Sequence, residues 1–281
     1  MEPEEYRQAS LKIWEVMAPG WERRREELDQ AVAPIHEWLL RELAPRPGDT
    51  VLELACGTGE LGFKAARIVG HDGRVILTDF SPDMLDVAQR ESVRLGLENV
   101  TSRVMDAEDL DLDDDSVDGV LCQSGYMLMA DVERALAETR RVLRAGGRLA
   151  LSVWGAPERN PWASIVGRML IEQGHMPPPE PGRPGVFSMA DEERTRGLLD
   201  DAGFGDVRTD EVETLFRFAD VADYVGWALD MAGPLAVVIG GLPQDERAAL
   251  DAELARAFEP FERDAGIELP GVALVAVATS A

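Results

Sequence analysis

Near the start of this 281-residue chain, Gly57, Gly59 and Asp79 have the types and spacing to do chemistry. The glycines lie in Glu53-Leu-Ala-Cys-Gly-Thr-Gly-Glu-Leu-Gly62, and Asp79 follows 20 residues after Gly59. A glycine turn between a strand and a helix lets a ligand approach outward-pointing backbone amides. An acid ending the next strand accepts hydrogen bonds from ribose hydroxyls. Together they predict a nucleoside-bearing ligand. The letters GTGELG also satisfy the dinucleotide fingerprint, so an NAD-dependent oxidoreductase is one alternative. Glu53 separates the two readings. A carboxylate buried in the strand needs a partner such as an amine, whereas a pyrophosphate is already negative.

Catalytic candidates are few. Of the three histidines, His71 sits in the polar turn His-Asp-Gly-Arg and reads as a solvated loop residue. His36 falls in a helical stretch, where an amphipathic-helix role is the simpler reading. His175 lies in an irregular segment expected to face the acceptor, which makes it a candidate general base. Tyr126, just past the fourth predicted strand, is a candidate for orienting an acceptor or a packing residue.

The elements that must position these residues alternate. Residues 14–43 read as helical, with Pro19-Gly20 and Pro34 breaking the run into pieces. Strands are predicted at 50–55, 74–78, 100–105, 117–122 and 148–154. Helices fall at 61–69, at 81–95 behind Ser81-Pro82, and at 131–144, where Gly146-Gly147 stops the last. Such alternation implies a parallel sheet covered by helices. Beyond residue 156 an irregular excursion contains Pro177-Pro-Pro-Glu-Pro-Gly-Arg-Pro, and Ser188 is expected to open a helix to Ala202 through a capping box. A strand at 207–218, helices at 219–232 and 243–262, and a strand at 272–279 complete the chain.

Composition narrows the partners. A net charge of −25 repels phosphate backbones and anionic lipid, so neither nucleic acid nor membrane insertion is expected. The acidic, mixed N-terminus does not read as a secretory signal, and two cysteines make neither a disulfide framework nor a metal cage. A cytoplasmic enzyme is expected. The acidic run Asp106 to Asp118 invites a calcium reading, but an EF-hand register puts Asp114 at the glycine position and Val120 at the bidentate position. No metal is expected.

The order acid-x-small-x-Gly-x-Gly, here Glu53, Ala55, Gly57 and Gly59, resembles the first motif of class I S-adenosylmethionine-dependent methyltransferases. Asp79 matches the family's ribose-binding acid, Asp106-Ala107-Glu108 its adenine-contacting segment, and Arg140 to Trp154 its helix, Gly-Gly and fifth strand. By the same resemblance Cys56, Phe80, Met84 and Gln123 belong to the cofactor site. The likeness is nearest to the small-molecule branch related to ubiquinone and menaquinone biosynthesis. Gly125-Tyr-Met-Leu-Met129 departs from the Gly-Leu-Arg-Asn-like segment of the quinone enzymes.

The resemblance implies a Rossmann-like α/β fold with a seven-stranded, mostly parallel sheet, an antiparallel last strand and a helical cap. Residues 1–45 would form an N-terminal cap, 46–155 the cofactor core, 156–187 a cap insertion and 188–281 the rest of the fold with inserted cap helices. It implies S-adenosylmethionine as methyl donor and a small-molecule acceptor methylated at oxygen, with nitrogen or carbon open. A non-catalytic S-adenosylmethionine-binding sensor is the other alternative.

Overall fold

A computed structural model describes residues 2–180 and 182–280; the outermost residue of each terminal segment and Pro181 of the proline run lie outside it. The chain begins with helix α1 (Pro3–Leu43), then β1 (Thr50–Glu53), α2 (Glu60–Val69), β2 (Arg74–Asp79), α3 (Pro82–Arg94), β3 (Val100–Val104) and β4 (Val117–Gln123). It continues through α4 (Val132–Val142), β5 (Leu143–Trp154), α5 (Pro161–Glu172), α6 (Glu192–Asp201) and β6 (Phe204–Phe218). Helices α7 (Val221–Met231), α8 (Pro234–Gly241) and α9 (Gln244–Phe258), the two-residue β7 (Glu262–Arg263) and β8 (Gly266–Ser280) complete it.

The sheet runs in the order β3-β2-β1-β4-β5-β8-β6, with β7 on the side of β8. Pairs from β3 to β5 are parallel, and β8 runs antiparallel to both β5 and β6. The expected architecture holds, with the short β7 as an eighth strand. The reversal of order beside β1 leaves a crevice at the carboxyl ends of β1 and β4, where ligands bind in such sheets.

Several local expectations need correction. Helix α1 runs unbroken through Pro19 and Pro34. A proline forfeits one backbone bond, but α1 buries Met17, Ala18, Val32, Ile35 and Leu39, and tertiary packing outweighs propensity. Gly20 lies so close to α7 that a methyl there would overlap the Asp230 carbonyl. The helix start after Ser188 moves to Asp191, whose side chain accepts from the Arg194 amide at 2.7 Å. The Ser188 hydroxyl instead donates to the Met127 carbonyl at 2.8 Å. Strand β5 begins at Leu143, so Gly146-Gly147 falls inside an irregular strand and does not end the helix. Three helices, not two, separate β6 from the last strands.

Asn160 ties β5, β8 and α5 together and is fully buried. Its amide donates to the carbonyls of Gly155, Ala156 and Val272 at 3.2, 3.1 and 3.0 Å. Its oxygen accepts from the Trp162 indole at 3.1 Å and the Val272 amide at 3.0 Å. Each stranded buried group costs about 1–3 kcal/mol. Asn160→Ala should therefore lower unfolding stability by more than about 2 kcal/mol in a urea titration. A midpoint within error of the wild type would contradict this account of the junction.

Candidate active site

The glycine turn between β1 and α2 is built for close approach. Ala55, Gly57 and Gly59 all have positive φ, at 49°, 53° and 91°. A side chain at Gly57 would meet the Trp21 ring at 3.5 Å, so α1 hangs over the turn. The Asp79 carboxylate braces it by accepting from the amides of Gly57 at 3.0 Å and Ser81 at 2.9 Å.

Electrostatics bear on three acids of the cradle, since burial raises the Glu60 carboxyl as well as those of Asp79 and Glu53. Burial pushes the Asp79 carboxyl up to about 6, while the amides of Ser81, Gly57 and Phe80 pull the other way. Glu53 is 2% exposed, and its Oε2 has no hydrogen-bond partner. Burial lifts its carboxyl well above the usual range, and the nearby Glu60 and Asp79 add repulsion. A buried, unpartnered acid is costly unless a ligand completes it. The orphaned Oε2 suits the ammonium of an amino acid, and a turn surrounded by Glu53, Glu60 and Asp79 is ill suited to a pyrophosphate. S-adenosylmethionine therefore fits the residues present.

One cavity of about 270 Å³ contains this cradle. Glu53, Ala55, Cys56, Gly57, Asp79 and Phe80 line it, and Met84, Asp106, Ala107, Glu108 and Gln123 also lie on its wall. Gly59 stands back from the wall, where it caps α2 and donates to the Cys56 carbonyl at 2.9 Å. Glu108 is buried and held by Arg7 of α1, whose Nε lies at 3.0 Å, and by the Asp131 amide at 3.0 Å. Helix α1 thus lines the cavity from Tyr6 to His36.

Part of the wall is aromatic. Trp154, Trp162, Phe216 and Trp227, from β5, α5, β6 and α7, line the cavity with centroids 4.7–6.0 Å apart, mostly edge-to-face or tilted. Such packing adds stability beyond the buried area. It also makes this part of the wall apolar.

The two catalytic candidates lie elsewhere. The Tyr126 hydroxyl is buried against Thr139 Oγ1 of α4 at 2.7 Å, and neither candidate is among the described residues of the wall. His175 turns back at the end of α5, donating its amide to the Leu170 carbonyl at 2.8 Å, with its ring toward Glu246 of α9 at 3.5 Å. The wall histidine is His36, 3% exposed. Its Nδ1 lies 3.1 Å from Asp29 and 2.8 Å from Lys64 Nζ, and its Nε2 contacts Gln123 Oε1. A helix-periodic position carries the same sequence signal whether it faces a core or a cavity. His36 was therefore not distinguishable by pattern alone.

The profile of the methyltransferase-domain family matches residues 45–170. The ubiquinone/menaquinone biosynthesis C-methyltransferase UbiE of Klebsiella pneumoniae subsp. pneumoniae is 32% identical over 177 residues, covering 58% of this chain and 68% of that protein. The UbiE of Teredinibacter turnerae is 40% identical over 116 residues, 41% of this chain, and the match spans about half (47%) of its length. The crystal structure of the YcgJ protein from Bacillus subtilis superposes with a TM-score of 0.60 at 17% identity, covering 87% of this chain and 97% of that one. The chain belongs to the class I S-adenosylmethionine-dependent methyltransferase family, in the part related to UbiE.

Asp79 gives a pH prediction with a definite sign. Its folded value of about 6 lies above the 3.8 of a free aspartate, so between these limits the folded state holds a proton that the unfolded state has lost. Its contribution to stability is present below the lower value and lost as pH rises through about 6. Ribose binding needs the ionised form, so cofactor affinity should move the other way. S-adenosylhomocysteine should bind about tenfold more weakly one pH unit below 6 than on the plateau above it. Calorimetry across pH checks this: Asp79→Asn should remove that step, and a step surviving intact would assign it to another group.

Proposed function

We propose that this protein transfers the methyl group of S-adenosylmethionine to a hydroxyl oxygen of a small, uncharged, planar acceptor. The observation that carries the reading is the shared cavity, which joins the Glu53–Asp79 cradle to a wall of Trp154, Trp162, Phe216 and Trp227. Arg7 and Arg25 are the arginines on its wall, and both are paired with carboxylates, Arg7 with Glu108 and Arg25 with Glu91 at 2.9 Å. An anionic acceptor would therefore find no free counter-charge there among the described residues. The printed function of the UbiE relatives, C-methylation in quinone biosynthesis, supports a ring-shaped acceptor. The chain's charge of −25 argues against nucleic acid.

Bound S-adenosylmethionine supplies an electrophilic methyl group. The chain's own part is to hold the donor's amino acid end at Glu53, accept its ribose at Asp79, stack the acceptor and exclude water. Alignment at near-attack distance is worth about 7–11 kcal/mol. The experiment is transfer of labelled methyl to a panel of phenols and catechols, with the product located by NMR. An O-methyl product is expected, a C-methyl product would reassign the atom, and cofactor binding without turnover across the panel would favour a sensor.

A further inference from the structure

Resting on that reading, we propose that His36 is the base that takes the acceptor's hydroxyl proton, on Nε2, with Asp29 holding the opposite edge of the ring. His36 and Asp29 both line the cavity, one helical spacing of seven residues apart on α1. Residues two turns apart share a helix face, so both side chains converge without a turn in the chain. The partner of Nε2 is Gln123, at the carboxyl end of β4 and on the same wall. This puts the imidazole edge on the cavity wall beside Gln123. None of the other histidines reaches that place: His71 is exposed on its loop, and His175 faces α9.

The neighbours admit both tautomers. With its proton on Nδ1, the ring donates to Asp29 and leaves a lone pair on Nε2, and the Lys64 ammonium, which can only donate, then serves Asp29 in place of Nδ1. The terminal amide of Gln123 has a donor edge and an acceptor edge, exchanged by half a turn, so it partners Nε2 in either state. A hydroxyl acceptor replaces that partner. The proton then passes from the acceptor oxygen to Nε2, and an oxygen lone pair forms the new bond to the methyl carbon. The carbon–sulfur bond breaks and leaves its electron pair on sulfur, so a thioether, a methyl ether and an imidazolium result. Asp29 balances the imidazolium. The His36 hydrogen bond, opposed by partial burial and aided by Lys64, holds that carboxyl down at about 2, ionised throughout the working range.

The charged groups facing the ring come from two helices. Asp29 lies on its own helix, and Lys64 on α2 contacts both Asp29 and Nδ1. Glu60 of α2 and Glu53 of β1 are close enough to feel Asp29 and Lys64 respectively. Deprotonation by a positioned base is worth about 10²–10⁴-fold in rate.

The test uses the full chain loaded with S-adenosylhomocysteine and 4-nitrophenol as the acceptor probe, whose ionised form absorbs in the visible. Below the probe's own pKa, binding to the wild type should produce the phenolate band. His36→Gln should bind S-adenosylhomocysteine with wild-type affinity and bind the probe without the band. In turnover its kcat should fall about 10²–10⁴-fold while KM for S-adenosylmethionine stays within a few-fold. A band retained by His36→Gln, or absent from the wild type, overturns the proposal while the cofactor reading stands. Failure of the wild type to bind S-adenosylhomocysteine overturns the cofactor reading instead. Should His36→Gln not fold, Asp29→Asn keeps the imidazole and removes its partner, so the band should fall several-fold; an unchanged band there counts equally against the base.

Discussion

Replacing Glu53 with glutamine is expected to weaken S-adenosylhomocysteine binding by about 2–5 kcal/mol, roughly 30- to 5,000-fold in Kd. The substitution keeps the shape of the side chain and removes its charge. In the ligand-free protein the carboxyl is buried, Oε2 has no partner, and Glu60 and Asp79 repel the ionised form. An ammonium arriving at Oε2 reverses each of those penalties, which is why the loss should be large. Burial of the Glu53 carboxyl also has a stability effect of opposite sign. Because its folded pKa is raised, Glu53 contributes stability that is present below the free carboxylate value and lost as pH rises through the folded value. Glu53→Gln should therefore match the wild type in ligand-free Tm at acidic pH and exceed it at alkaline pH. Wild-type affinity in the variant would remove Glu53 from the site.

Gly62→Ala should damage both the fold and the cradle. A glycine-to-alanine change inside a helix ordinarily stabilises by about 0.8–1.0 kcal/mol. Here the added methyl would overlap Glu53 Oε2 on one side and Leu77 Cδ2 on the other. Overpacking of this kind costs about 1–3 kcal/mol, and the displaced carboxylate no longer meets the ammonium. The expected result is lower stability in denaturant together with at least about tenfold weaker S-adenosylhomocysteine binding. A stabilised variant with unchanged affinity would show that α2 and β1 are not in the contact described.

Gly62 also shows how far the sequence could be read. Its place in GTGELG satisfies a dinucleotide pattern, yet its role is close packing over Glu53, the residue that argues against a dinucleotide. The cofactor cradle was legible because its logic is local: a strand, a glycine turn and an acid ending the next strand lie within 27 residues, Glu53 to Asp79. The acceptor end was not. Trp154, Trp162, Phe216 and Trp227 come from four elements spread over 74 residues and meet only when β8 inserts between β5 and β6. Tyr126 and His175 were plausible by position in the chain, but a hydroxyl hidden against Thr139 and a ring turned to Glu246 depend on packing that pattern does not encode. His36 was passed over for the converse reason. The unbroken course of α1 through two prolines was unreadable too, because its stabilisation comes from the elements it covers.

The most direct test of the central claim is a calorimetric titration of the wild-type chain with S-adenosylhomocysteine, run beside NADH. The account predicts saturable one-to-one binding of S-adenosylhomocysteine that strengthens as pH rises through about 6, with no heat from NADH. Binding of NADH with none of S-adenosylhomocysteine would contradict it.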